Sequence, residues 1–104
     1  LELETIDALI SNNRELTDIS SLRASIDEVD AQLLQLIEKR LRIVESVAAY
    51  KIENKLEIVD SARESALLDM VRSLSSDDLV DLNEEIYRAI ISASCKHQDK
   101  IIND

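Results

Sequence analysis

Not one glycine or proline occurs in the 104 residues of this chain. Average usage would put roughly a dozen of the two together in a chain this long. Two-residue β-hairpin turns lean on glycine for their positive φ angles. Phosphate loops, dinucleotide-binding turns and nucleophile elbows need it as well. What remains open to such a chain is helix, and the fold class expected is all-α. Its length suits one domain. Apolar residues at 45 % and charged residues at 33 % favour a packed core over disorder. Lys and Arg number 12 against 22 Asp and Glu, a net charge of -10. That charge disfavours nucleic-acid partners and anionic membranes bound through bulk electrostatics. No apolar run approaches the ~18 residues of a membrane span. The N-terminus has no signal-peptide pattern, which predicts a cytoplasmic location, and its first residue, Leu1, suits an excised piece of something longer.

Residues 1–19 read as an accessory segment, flexible or docked, and 20–104 as the domain proper. Leu3, Ile6 and Ile10 could line a short helix that Ser11, Asn12 and Asn13 end. Ser20 or Ser21 can then cap a long helix. Its apolar stripe is Leu22, Ile26, Val29, Leu33, Leu36 with Ile37, Val44 and Val47, and it runs to about Lys51 or Asn54. Roughly 32 helical residues extend about 48 Å, whereas a compact domain of this size has a radius of gyration near 13 Å. The stripe would stay wet in a monomer, so a dimer with shared helices is expected. A break at 54–59 precedes a second helix with Leu67, Leu68, Val71 and Leu74 inside. A turn at Ser75–Asp78 precedes a third, with Leu79, Leu82, Ile86, Ile90 and Ala93 on one stripe and Tyr87, Ile91, Ser94 and Gln98 beside it. The acidic pairs Asp77-Asp78 and Glu84-Glu85 read as solvated or as helix-start residues.

Some charges fall where apolar residues belong. Leu36 is followed four residues on by Arg40, and Val47 by Lys51. These two cations differ by about 20° around the helix and about 16 Å along it, so they can converge on something held between them. They can equally snorkel or pair with nearby carboxylates. Arg23 stands about 25 Å before Arg40 on another face. It cannot serve the same small pocket within one chain but could reach that of a dimer partner. Ser61-x-x-Glu64 fits a capping box, and Asp60 fits a helix start. Arg63 precedes the stripe Leu67, Met70, Leu74 by four. Ser94 and Gln98, four apart, are either a polar rim or two neutral donors aimed into a cavity. Cys95 and His97 lack the companions that a metal site or a nucleophile requires, so no metal is expected.

Taken in order, these residues resemble the all-helical chorismate mutases. The family's first helix reads Leu-Arg-x-x-Ile-Asp-x-x-Asp-x-x-Leu-x-x-Leu-x-x-x-Arg. Here that is Leu22-Arg23, Ile26-Asp27, Asp30, Leu33, Leu36 and Arg40, followed by Lys51, then Asp60-x-x-Arg63-Glu64, then Ser94 and Gln98. The likeness covers about residues 20–99. It departs at 54–59, where relatives often carry Gly or Pro. The resemblance implies three helices per chain, one of them long, in an intertwined homodimeric bundle with two shared sites. It implies rearrangement of chorismate to prephenate, in Phe and Tyr biosynthesis, without a cofactor. Arg40 and Arg23 of the partner subunit would hold the substrate carboxylates, with Ser94 as a further donor. Lys51 and Gln98 would face the ether oxygen. Glu64 and the backbone near Asp60 would hold the hydroxyl, with Arg63 lining the pocket and orienting Glu64. The competing readings are an isochorismate–pyruvate lyase, which Glu64 disfavours, and a non-catalytic helical dimerisation module, which the cations on the stripe disfavour.

Overall fold

A computed structural model describes residues 18–103. The proposed short helix around Leu3, Ile6 and Ile10 lies outside them. Among the described residues the chain forms three α-helices and no strand: α1 (Ile19–Asn54), α2 (Ser61–Leu74) and α3 (Val80–Asn103). The all-α expectation holds, and no described helix is long and apolar enough to cross a membrane.

The helix ends show how a chain without glycine stops and restarts. α1 is capped by Asp18, not by Ser20 or Ser21. The Asp18 carboxylate accepts from the Ser21 backbone N–H at 3.2 Å and from its hydroxyl at 3.3 Å. An acid suits this place, because the first-turn N–H groups have no partner within the helix. At its far end α1 closes in a Schellman arrangement. Leu56 N–H donates to Lys51 C=O at 2.9 Å, and Lys55 N–H to Ile52 C=O at 3.3 Å. Lys55 occupies the left-handed position that glycine usually fills, at φ 55°. α2 starts from Asp60, whose carboxylate accepts from Arg63 N–H at 3.0 Å. It ends at Ser75, whose hydroxyl donates back to Val71 C=O at 2.6 Å. Asn83 of α3 donates to that same hydroxyl at 2.9 Å, fixing the turn between the two helices.

The chain divides into two compact units, residues 1–40 and 41–104. In the second, α2 packs on α3. The buried apolar side chains among the described residues are Val44, Ala48, Leu67, Leu68 and Val71, all in this unit. Each large one contributes about 1.5–3 kcal/mol by burial. That is a small core, and several expected core positions lie outside it. Leu74, Leu79, Leu82 and Ile86 are exposed, as are Ile26, Leu33, Leu36 and Val47 on α1. The helical periodicity holds, but the stripe that α3 buries is the adjacent one. Ser94 and Gln98 are its buried residues, with Tyr87 and Ile91 half-buried.

Candidate functional site

Ser94 and Gln98 are each 6 % exposed. An amphipathic helix that buries serine and glutamine while leaving leucines wet needs a reason, since buried polar groups require partners. Ser94 Oγ donates to Ile90 C=O at 2.9 Å, one turn back. Gln98 Oε1 is buried and makes no hydrogen bond. Between these two positions, Cys95 Sγ donates weakly to Glu64 Oε1 at 3.9 Å, linking α3 to α2. Burial pushes the Cys95 thiol up, the Glu64 carboxylate pushes it further, and the Lys51 ammonium opposes them. A thiol so placed is a poor nucleophile. The same influences put Lys51, Glu64 and Cys95 in one electrostatic neighbourhood.

Each carboxylate and cation there has a local reason for its place. Because Asp60, not Ser61, is the N-cap of α2, Glu64 sits one position too late to close a capping box. The structural explanation for Glu64 falls away, and its carboxylate turns to α3 instead. Lys51 is half-buried in the last turn of α1, and its ammonium donates to Ile58 C=O at 2.6 Å. Asp60 and Arg63 are exposed, and the bond between them runs from the Arg63 backbone rather than its guanidinium. Lys51, Asp60, Arg63, Glu64, Ser94 and Gln98 all belong to the second unit. Arg23, exposed, and Arg40, half-buried, belong to the first.

A cavity of about 260 Å³ opens between α2 and α3, lined by Glu64, Leu68, Arg88, Ile91 and Ser92. Of these, Glu64 alone is a site residue expected from the sequence. Beside the cavity, Glu84 is not a solvated acid as its pairing with Glu85 suggested. It bonds Arg72 of α2 and accepts from Arg88 Nη2 at 3.0 Å. Arg72 also reaches Asp69 at 3.0 Å. The Arg72 guanidinium, then Arg88, hold the Glu84 carboxyl below its ordinary range. Toward the end of α3, His97 Nε2 and Glu45 Oε2 stand 2.9 Å apart. A carboxylate only accepts, so this nitrogen carries the proton. The bond from His97, then the one from Arg42, lower the Glu45 carboxyl. Among the described residues, no three His, Cys, Asp or Glu side chains gather as metal ligands.

A buried amide and hydroxyl on one helix, a carboxylate released from capping, and a lysine at the end of the preceding long helix invite comparison with known proteins. The description "Chorismate mutase type II" matches residues 22–99, which is most of the chain. The chain belongs to that family. It is 32 % identical over 88 residues to the bifunctional chorismate mutase/prephenate dehydratase of Buchnera aphidicola, covering 83 % of this chain and 23 % of that protein. It is 34 % identical over 65 residues to the chorismate mutase of Methanocaldococcus jannaschii, covering 62 % of this chain and 66 % of that one. It is 24 % identical over 91 residues to the 4-amino-4-deoxychorismate mutase of Streptomyces venezuelae, covering 86 % and 88 %. The chain thus spans less than a quarter of the bifunctional relative. No solved structure gives a significant match.

Proposed function

We propose that this chain is a chorismate mutase, converting chorismate to prephenate by an intramolecular Claisen rearrangement on the route to Phe and Tyr. The observation that carries the reading is Glu64. It is freed from helix capping and joined to the α3 segment that buries Ser94 and Gln98. The reaction breaks one C–O bond and forms one C–C bond within a single molecule. It therefore calls for a compact conformer, and for donors aimed where negative charge grows on the ether oxygen.

Each side chain has a part in that scheme. Arg40 and Arg23 of the partner subunit hold the two carboxylates, with Ser94 as an additional donor. Lys51 and Gln98 serve the ether oxygen, strengthening as its charge develops, which lowers the barrier and not just the ground state. The buried Gln98 oxygen without a partner fits this role. An amide turned by 180° presents its donor nitrogen at the same point, and the two ends are distinguished only by their bonds. Glu64 accepts from the substrate hydroxyl, helped by the backbone near Asp60, and Arg63 lines the pocket and orients Glu64. None of these roles involves a cofactor or a metal.

The proposal includes an intertwined homodimer. Ile26, Leu33 and Leu36 are 56 %, 48 % and 45 % exposed, and Leu82 and Ile86 on α3 are equally open. So many exposed large apolar side chains beside so small a core suit cover by a second copy. The single thiol at Cys95 suits a reducing compartment, in keeping with a cytoplasmic location.

The test is turnover of chorismate by the purified chain, with the product identified. Prephenate formed well above the spontaneous rate, and lost in Arg40→Ala, supports the reading. Lys51→Ala should lower kcat by about 10²–10³, the usual effect of removing a donor from a developing oxyanion. Salicylate and pyruvate from isochorismate, with chorismate untouched, would replace it with the lyase. A solution mass equal to one 11.7 kDa chain would remove the dimer.

A further inference from the structure

Arg88 was singled out by no sequence pattern. It stands four residues after Glu84, and such a pair on a helix ordinarily reads as a solvated ion pair worth little. The fold gives it a second setting. Arg88, Ile91 and Ser92 share a face of α3, and that face, with Glu64 and Leu68 of α2, lines the cavity of about 260 Å³. Arg88 is the one cation in that lining, and Glu64 the one anion.

We propose that Arg88 is a substrate-binding residue at the mouth of this cavity, where its guanidinium receives a carboxylate of the incoming dianion. The proposal rests on the function proposed above, because it takes the substrate to be a dicarboxylate that reaches Glu64. Three observations carry it. First, the chain bears a net charge of -10, and the cavity wall itself contains a carboxylate, so a dianion approaches against repulsion unless a local cation reverses the field. Second, the Arg88 side chain is 61 % exposed, and its ion pair with Glu84 uses one nitrogen, Nη2. A guanidinium has five N–H donors in a flat fork that matches a carboxylate, so capacity remains for a second anion. Third, Glu84 is also bonded by Arg72 from α2. The contact between α2 and α3 at this point therefore keeps a partner without Arg88.

The last observation supplies a test in which the two possible roles have opposite signs. Arg88→Gln removes the cation and leaves the Arg72–Glu84 bond. Glu84→Gln weakens both ion pairs and removes a negative charge beside the mouth. Steady-state turnover of chorismate should show kcat/KM falling about 3- to 5-fold in Arg88→Gln at low ionic strength, the scale of one exposed charge pair. The loss should appear in KM and shrink as salt is added. Arg88→Lys should recover most of it. Glu84→Gln should equal or exceed the wild type. Equilibrium dialysis with prephenate, the product dianion, should reproduce the same order in Kd. Arg88→Gln matching wild type at low salt would overturn the proposal, and so would Glu84→Gln falling in step with it, since that marks a purely structural ion pair. A wild-type chain that converts chorismate while Arg88→Gln is unaffected refutes this inference alone. A wild-type chain that neither binds prephenate nor converts chorismate refutes it together with the function.

Discussion

Replacing Lys55 by glycine should stabilise the chain, and the size of the gain follows from one backbone angle. Lys55 sits at φ 55° immediately after α1, closing the Schellman pair of bonds to Lys51 and Ile52. A residue with a Cβ in the left-handed region pays about 1–2 kcal/mol. Glycine escapes that strain but loses about 0.5–1 kcal/mol more conformational freedom on folding. The midpoints of the two ranges leave a net stabilisation of about 0.75 kcal/mol. At about 4–8 °C per kcal/mol for a domain near this size, Tm should rise by about 3–6 °C. Lys55 is exposed, so packing contributes nothing to the change. Lys55→Ala is the matching control, because it removes the same charge and keeps the Cβ. Thermal unfolding followed by circular dichroism, at equal protein concentration, should rank Lys55→Gly above both the wild type and Lys55→Ala. If the glycine variant melts no higher than the alanine one, the left-handed closure of α1 is wrong.

Two further outcomes concern pH. Gln98→Glu places a carboxyl in a site that is nearly closed to solvent, and burial raises its pKa. The protonated acid still donates and the carboxylate does not, so activity should survive at acid pH and fall about tenfold per unit above that pKa. Full activity of this variant at pH 8 would separate Gln98 from the ether oxygen. Glu45 is lowered by His97 and Arg42. A depressed carboxylate stabilises the fold above its unfolded pKa, near 4.3, and that contribution disappears as pH falls through the folded value. Wild type should therefore melt above Glu45→Gln at pH 7, and the gap should close as pH falls through the lowered folded value. A gap independent of pH would remove the ion pair as its cause.

The helices were legible because their causes are local. The absence of glycine and proline, and apolar spacing of three and four, lead to α1, α2 and α3 with boundaries within a few residues. Caps were less legible, because several neighbouring residues can each do the work. Asp18 and Asp60 took the positions that Ser20, Ser21 or Ser61 could have filled. Periodicity also shows that α3 has two usable faces without showing which one its own chain covers. Leu82 and Ile86 remained open, while Ser94 and Gln98 went inside. Arg88 and the Glu45–His97 bond had no signal in the spacing. Glu45 and His97 are 52 positions apart, and Arg88 reaches the cavity wall only through the packing of α2 on α3. Glu64 was ambiguous for the opposite reason, since a capping box and a binding carboxylate ask for the same residue at the same place.

Connections between helices ordinarily absorb extra residues with little penalty, each doubling of loop length costing only about 0.6 kcal/mol in closure entropy. The connection after α1 differs, because the Lys51 ammonium donates to the Ile58 carbonyl. An insertion between the two moves the acceptor of a cation, whatever residues are inserted. Loop length here therefore acts on the site as a side chain would. A graft of this connection from a relative has to match residue 51 in spacing before its sequence matters.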